Sequence, residues 1–143
     1  MKNHRENLNV PSEAGEQYRQ RAQQAAARGA QSLNRLLLVA EGKEDTINLQ
    51  VSDSNAAVVA SFLSDIAGNF CFQFVDLRCL EDGLDDDIMN CIDAIRWGRQ
   101  DLFESVPNGV QRTLAVCRDW ADELRRQRRP IKVVPPRENE LLD

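Results

Sequence analysis

The sequence predicts an α+β fold: an N-terminal helix, a small sheet covered by helices, and a helical C-terminal part. Three observations point there. Ile47, Leu49 and Val51 alternate with Asn48 and Gln50, the period of a half-buried strand. Phe70, Phe72 and Phe74 recur at every second position, as on one face of a second strand. Elsewhere apolar residues recur at helical spacing, most clearly Leu84, Ile88, Cys91, Ile92 and Ile95.

The elements follow in order. Pro11-Ser12 with Glu13 and Glu16 is a helix start, a capping serine followed by acids in the first turn. The helix runs to about Asn34 through good helix formers. Its apolar stripe of Tyr18, Ala22, Ala25, Gly29 and Leu33 has small side chains that bury little area. Gly29 costs about 1 kcal/mol relative to alanine and marks a break point. Residues 1–34 therefore read as a helical arm.

Residues 36–40 form an unbroken apolar run. With the polar turn 41–45 and the alternating run after it, they predict a β-hairpin over 35–52. Asp53, Ser54 and Asn55 offer caps for a helix over 56–67, with Val59, Phe62, Leu63 and Ile66 at helical spacing and Gly68 as its stop. The strand over 70–76 follows, placed at the core's centre by its aromatic mass. An acidic loop leads into a helix ending near Trp97-Gly98. Pro107-Asn108 precedes a last helix from about Gly109, which Pro130 ends. Residues 35–130 thus form a single α+β domain, and 131–143 an extended tail whose residues 131–134 offer an edge strand.

Composition narrows the function. The 143 residues are 42% hydrophobic, enough for one globular core and too apolar for a disordered chain. No run reaches the about 18 apolar residues of a membrane helix, and the N-terminus lacks a signal peptide's apolar core, so a cytoplasmic protein without membrane attachment is expected. The net charge of -5 is unevenly spread. Residues 1–40 carry 6 basic and 3 acidic side chains, 41–110 carry 4 and 14, and 111–143 carry 8 and 6. An acidic centre lies between basic ends, which either bind nucleic acid or pack across the centre, within one chain or in a homodimer.

Candidate chemistry is sparse. Cys71, Cys79, Cys91 and Cys117 form no CxxC pair, and His4 is the sole histidine, so no zinc site is expected and the thiols read as small, reduced, mostly buried hydrophobes. Glu81, Asp82, Asp85, Asp86 and Asp87 suit a hard cation, but they do not follow the EF-hand pattern and are better read as acids complementing a helix N-terminus. No phosphate-binding glycine loop or histidine-based triad is present, so the chain reads as non-enzymatic, without a cofactor.

The expected function is protein–protein binding, as an adapter, inhibitor, chaperone or regulator. Tyr18, Arg28, Trp97, Trp120, Leu141 and Leu142 are the partner-binding candidates, since aromatic residues and arginine dominate interface energetics. A homo-oligomer is among the partners considered. The alternative is a nucleic-acid-associated factor using Arg125, Arg126, Arg128 and Arg129 together with the arginines of the first helix. Asp119, Asp122 and Glu123 just upstream dilute that patch through helical neighbour pairs.

Overall fold

The structure is a computed structural model that describes residues 12–81, 83–98 and 101–127. Helix α1 spans Glu13–Ala40, α2 Asp53–Ile66, α3 Leu84–Trp97 and α4 Gly109–Gln127. Short 3-10 turns at Glu44–Ile47, Phe74–Cys79 and Leu102–Ser105 lie in the connections. No strand occurs among the described residues, so the fold is all-helical and the α+β expectation is overturned.

Helix α1 is the spine. Ser12 caps it, its Oγ accepting from the Gly15 amide at 3.1 Å, as the sequence suggests. Buried residues then fall at Ala25, Gly29, Ser32, Leu33, Leu36, Leu37 and Ala40, one continuous helical face. The helix passes unbroken through Gly29 and through the 34/35 position where the sequence suggests an arm giving way to a domain. Its most extensive partner is α3, and α2, α4 and the Leu102–Ser105 turn also pack on it. Leu33, Leu36 and Leu37 meet Val59, Phe62 and Leu63 of α2, Leu84, Ile88 and Cys91 of α3, and Val116 of α4 in one core. Each fully buried leucine contributes about 2 kcal/mol, so the C-terminal half of α1 anchors the whole assembly.

The hairpin over 35–52 is absent for a physical reason. Residues 36–40 are apolar because they are the last turns of α1, where they bury at helical spacing against three other helices. The polar segment after them is a helix cap. The Lys43 amide donates to the Leu38 carbonyl and Gly42 to Val39, with Gly42 at φ +74°, the left-handed conformation such a cap requires. Ile47, Leu49 and Val51 do alternate, but they have no partner strand. Residues Glu44–Ile47 coil into a 3-10 turn, while Leu49 and Val51 lie against the helical core.

The strand over 70–76 is likewise a non-repetitive segment leading into the Phe74–Cys79 turn. Only Phe72 enters the core; its amide donates to the Asp65 carboxylate at 2.8 Å instead of to a neighbouring strand. Its ring sits edge-on between Phe62 and Phe74, with centroids 5.5 Å apart on both sides. Phe74 remains 64% exposed, so the three-phenylalanine face does not form. Helices α2, α3 and α4 fall where the sequence puts them, with Ser52 rather than its neighbours capping α2. The tail 131–143 and its edge strand lie outside the described residues.

Candidate functional site

Helices α1 and α3 pack closely where Gly29, in the middle of α1, meets Ala94, in the last turn of α3. The close approach is set by Gly29, where a β-carbon would run into the Ala94 side chain. Beside that crossing a cleft of about 330 Å³ opens between the N-terminal half of α1, the end of α3 and the Leu102–Ser105 turn. Arg19, Ala22, Gln23 and Ala26 line it on α1; Ala94, Trp97, Asp101, Leu102 and Ser105 line it opposite. Tyr18 and Trp97 close one end edge to face, with ring centroids 5.2 Å apart. The Arg96 guanidinium lies 5.0 Å from the Trp97 ring centroid, a cation–π contact at the rim.

Of the partner-binding candidates, the structure brings Tyr18 and Trp97 together, 79 positions apart in sequence. Arg28 is on the same two-helix layer, where it pairs with Asp93 of α3 at 3.7 Å. Trp120 lies at the junction of α4 with the end of α1. It packs half-buried on the core, and its Nε1 donates to the Ala40 carbonyl at 2.8 Å, tying α4 to the end of α1. Leu141 and Leu142 lie outside the described residues.

Arg125 and Arg126 are exposed and pair within their own helix with Asp122 and Glu123, at 3.7 and 3.0 Å. Arg128 and Arg129 lie outside the described residues. The acidic centre is drawn on in another way. Arg35 Nε donates to Asp87 at 2.8 Å, Arg28 meets Asp93, and Arg112 grips Glu41 through two nitrogens, one at 3.0 Å. All three pairs join a basic end of the sequence to its acidic middle within one chain. The Glu41 hydrogen bond raises the Arg112 pKa further above its ordinary value.

The acidic cluster is dispersed. Asp87 is buried against α1, accepting from Ser32 Oγ at 2.8 Å as well as from Arg35, while Asn90 donates to the same serine at 3.1 Å. Glu81 turns to α2, where its amide donates to Asn55 Oδ1 at 3.0 Å. Asp85 and Asp86 stay in the first turn of α3, and Asp82 lies outside the described residues. Among the described residues no three His, Cys, Asp or Glu side chains come together to hold a metal ion. One step beyond Asp87, Cys91 is buried, and that burial, with the Asp87 charge as a smaller cause, pushes its thiol up to about 12. Cys71 and Cys79 are exposed and Cys117 is partly so, which corrects the expectation of mostly buried thiols.

Sequence reading missed two features. The Asp87–Ser32–Arg35 network carries a signal in retrospect, since Leu84, Asp87, Ile88 and Cys91 share one helical face with the buried stripe. The second is a pair of neighbouring clefts between α2 and α4, both lined by Phe70 and Leu124. No local pattern announces them, because they depend on the path of the irregular segment after α2.

These features describe a small helical protein built on one long central helix, with apolar clefts opening between its helices. Residues 30–121 match a family described as a family of unknown function, DUF7673, and the chain belongs to that family. No curated protein and no solved structure matches the chain. No helix among the described residues is long and apolar enough to cross a membrane.

Proposed function

We propose that this is a cytoplasmic, non-enzymatic protein that binds a partner protein, and that the cleft between α1 and α3 receives an amphipathic helix of that partner. One observation carries the reading: Tyr18 and Trp97 meet at a mostly apolar cleft that Ala22, Ala26, Ala94 and Leu102 line, with Arg19, Gln23, Asp101 and Ser105 among its polar residues. Aromatic side chains are large anchors with few rotors to immobilise, which is why they dominate binding hot spots. Small residues on the opposing wall favour a helix as the occupant, since Gly29 and Ala94 show how closely two helices approach on this same face. The exposed, locally paired Arg125 and Arg126 lend the nucleic-acid alternative no comparable support.

The test is capture of the partner from native lysate with a nuclease control, followed by binding measurements with the purified pair. Ala26→Glu places a charge on the exposed α1 wall without removing core volume, and Tyr18→Ala removes an anchor. Each is expected to weaken binding about tenfold or more while helicity by circular dichroism is unchanged. Undiminished binding by Ala26→Glu would place the interface elsewhere. Loss of capture on nuclease treatment would favour the nucleic-acid reading.

A further inference from the structure

The larger of the two clefts between α2 and α4 has a volume of about 590 Å³. Val58, Phe70 and Leu124 supply apolar surface, Ser54 and Gln73 polar groups, and Asp76 the one charge on its lining. Asp76 makes no ion pair among the described residues. The Gln73 backbone is extended, with φ -98° and ψ 112°. Neither its amide nor that of Cys71 donates to another group among the described residues. The cleft therefore suits an extended, apolar segment that carries a cation and pairs through its backbone, as a strand added to an edge does.

The chain supplies such a segment where α4 stops. Gln127, the last described residue of α4, is itself part of the lining. Pro130 cannot continue that helix, since it lacks an N–H and its ring crowds the carbonyl four residues back. Ile131, Lys132, Val133 and Val134 follow before Pro135, and the three apolar ones are β-branched residues that favour extended backbone. In that conformation Ile131 and Val133 share one side. The chain from Gln127 to Ile131 reaches at most about 14 Å. The lining runs along α2 from Ser54 to Ser61, about 10 Å at the helical rise. Residues 131–134 in extended form span about 10 Å, so reach and length both match.

We propose that residues 131–134 fold back into this cleft of the same chain. Ile131 and Val133 would lie against Val58, Phe70 and Leu124, Lys132 would pair with Asp76, and the added backbone would run beside residues 71–73. The tether selects the chain's own segment over a second copy or a partner. A short linker gives an effective concentration on the order of millimolar, above that of a competing copy in dilute solution. Opening of so short a segment is fast, on the order of microseconds to milliseconds, so small reagents still reach the exposed Cys71 and Cys79 beside it. This site is separate from the Tyr18–Trp97 cleft and does not depend on what that cleft binds.

NMR of the isotope-labelled full chain tests this. Residues 131–134 are expected to show backbone order parameters near about 0.85, the value of rigid backbone. Nuclear Overhauser contacts from the Ile131 and Val133 methyls to the Phe70 ring, Val58 or Leu124 are expected within one chain. Ile131→Ser with Val133→Ser should drop the order parameters of 131–134 below about 0.6 and shift the Val58 and Leu124 methyl signals, with helicity by circular dichroism unchanged. Values below about 0.6 throughout 131–134 in the parent would overturn the proposal. So would contacts seen only between differently labelled chains, which would give the cleft to a second copy's segment.

Discussion

Gly29 and Ala94 touch across the α1–α3 interface with no room for a side chain on the glycine. The contact sets how closely the two helices pack and, through that, the width of the adjoining cleft. It also reverses the ordinary expectation for a glycine inside a helix. Alanine at position 29 would gain about 1 kcal/mol in helix propensity. It would also drive a methyl into Ala94, with the Asn90 carbonyl at 3.3 Å and Leu102 at 3.4 Å leaving little room to yield. Overpacking of this kind costs about 1–3 kcal/mol and should win. Gly29→Ala is therefore expected to lower the melting temperature; a rise would mean that the helices separate easily.

Asp87 is the hub of the polar network inside the same interface. Removing it takes away a buried carboxylate that accepts from both Arg35 Nε and Ser32 Oγ. Asp87→Ala should cost about 3 kcal/mol in denaturant unfolding. Arg35 is partly exposed and recovers some hydration, so Arg35→Ala, which strands the more deeply buried carboxylate, is expected to be at least as damaging.

Cys91 makes stability fall at high pH. Its thiol ordinarily titrates near 9.0 and is pushed up to about 12 in the folded protein. Above pH 9 the unfolded chain loses this proton while the folded chain keeps it, so the unfolded state gains. The contribution is complete below pH 9 and declines by about 1.4 kcal/mol per pH unit toward pH 12. Cys91→Ala should be less stable than the parent at pH 7, with the gap narrowing from pH 9 to 11. A constant gap would show that Cys91 ionises alike in both states.

Trp120→Phe keeps most of the ring and loses the N–H bond to the Ala40 carbonyl. A loss of about 1 kcal/mol is expected in equilibrium unfolding. Changing Arg126 to Gln at the end of the same helix should alter stability by less than about 0.5 kcal/mol, since its pairing with Glu123 is at the surface.

The thiols should divide by position. Cys71 and Cys79 are exposed and are expected to react with a disulfide reagent at once, Cys117 more slowly, and Cys91 only on unfolding. Mass spectrometry of partly labelled protein gives the order directly. Early labelling of Cys91 would show that α3 separates from α1 without global unfolding.

The sequence makes the helices legible wherever apolar spacing is complete, as from Leu84 to Ile95, and wherever a cap is explicit, as at Ser12. It misleads where period and context disagree. Residues 46–51 and 70–74 alternate convincingly, but a strand needs a neighbour to complete its hydrogen bonds, and none is present among the described residues. The run at 36–40 is too uniformly apolar to display a period, so only its continuity with Ala25, Gly29 and Leu33 reveals a helix. Tyr18 and Trp97 stand out in the sequence as interface candidates by type. Their meeting depends on how distant segments pack, which no local pattern records.

Within α1 the first residue to be buried is Ala25, whereas its last two turns are packed from several sides. A helical segment as short as residues 13–24 does not persist alone in water; it propagates from the part already packed. Amide exchange should therefore slow steadily along one continuous helix, fastest near Glu13 and slowest near Leu37. The Tyr18 wall of the cleft stands on the fast end of that gradient. A partner docking there would pull the zone of slow exchange toward the N-terminus, so occupancy could be read from the backbone of α1 alone.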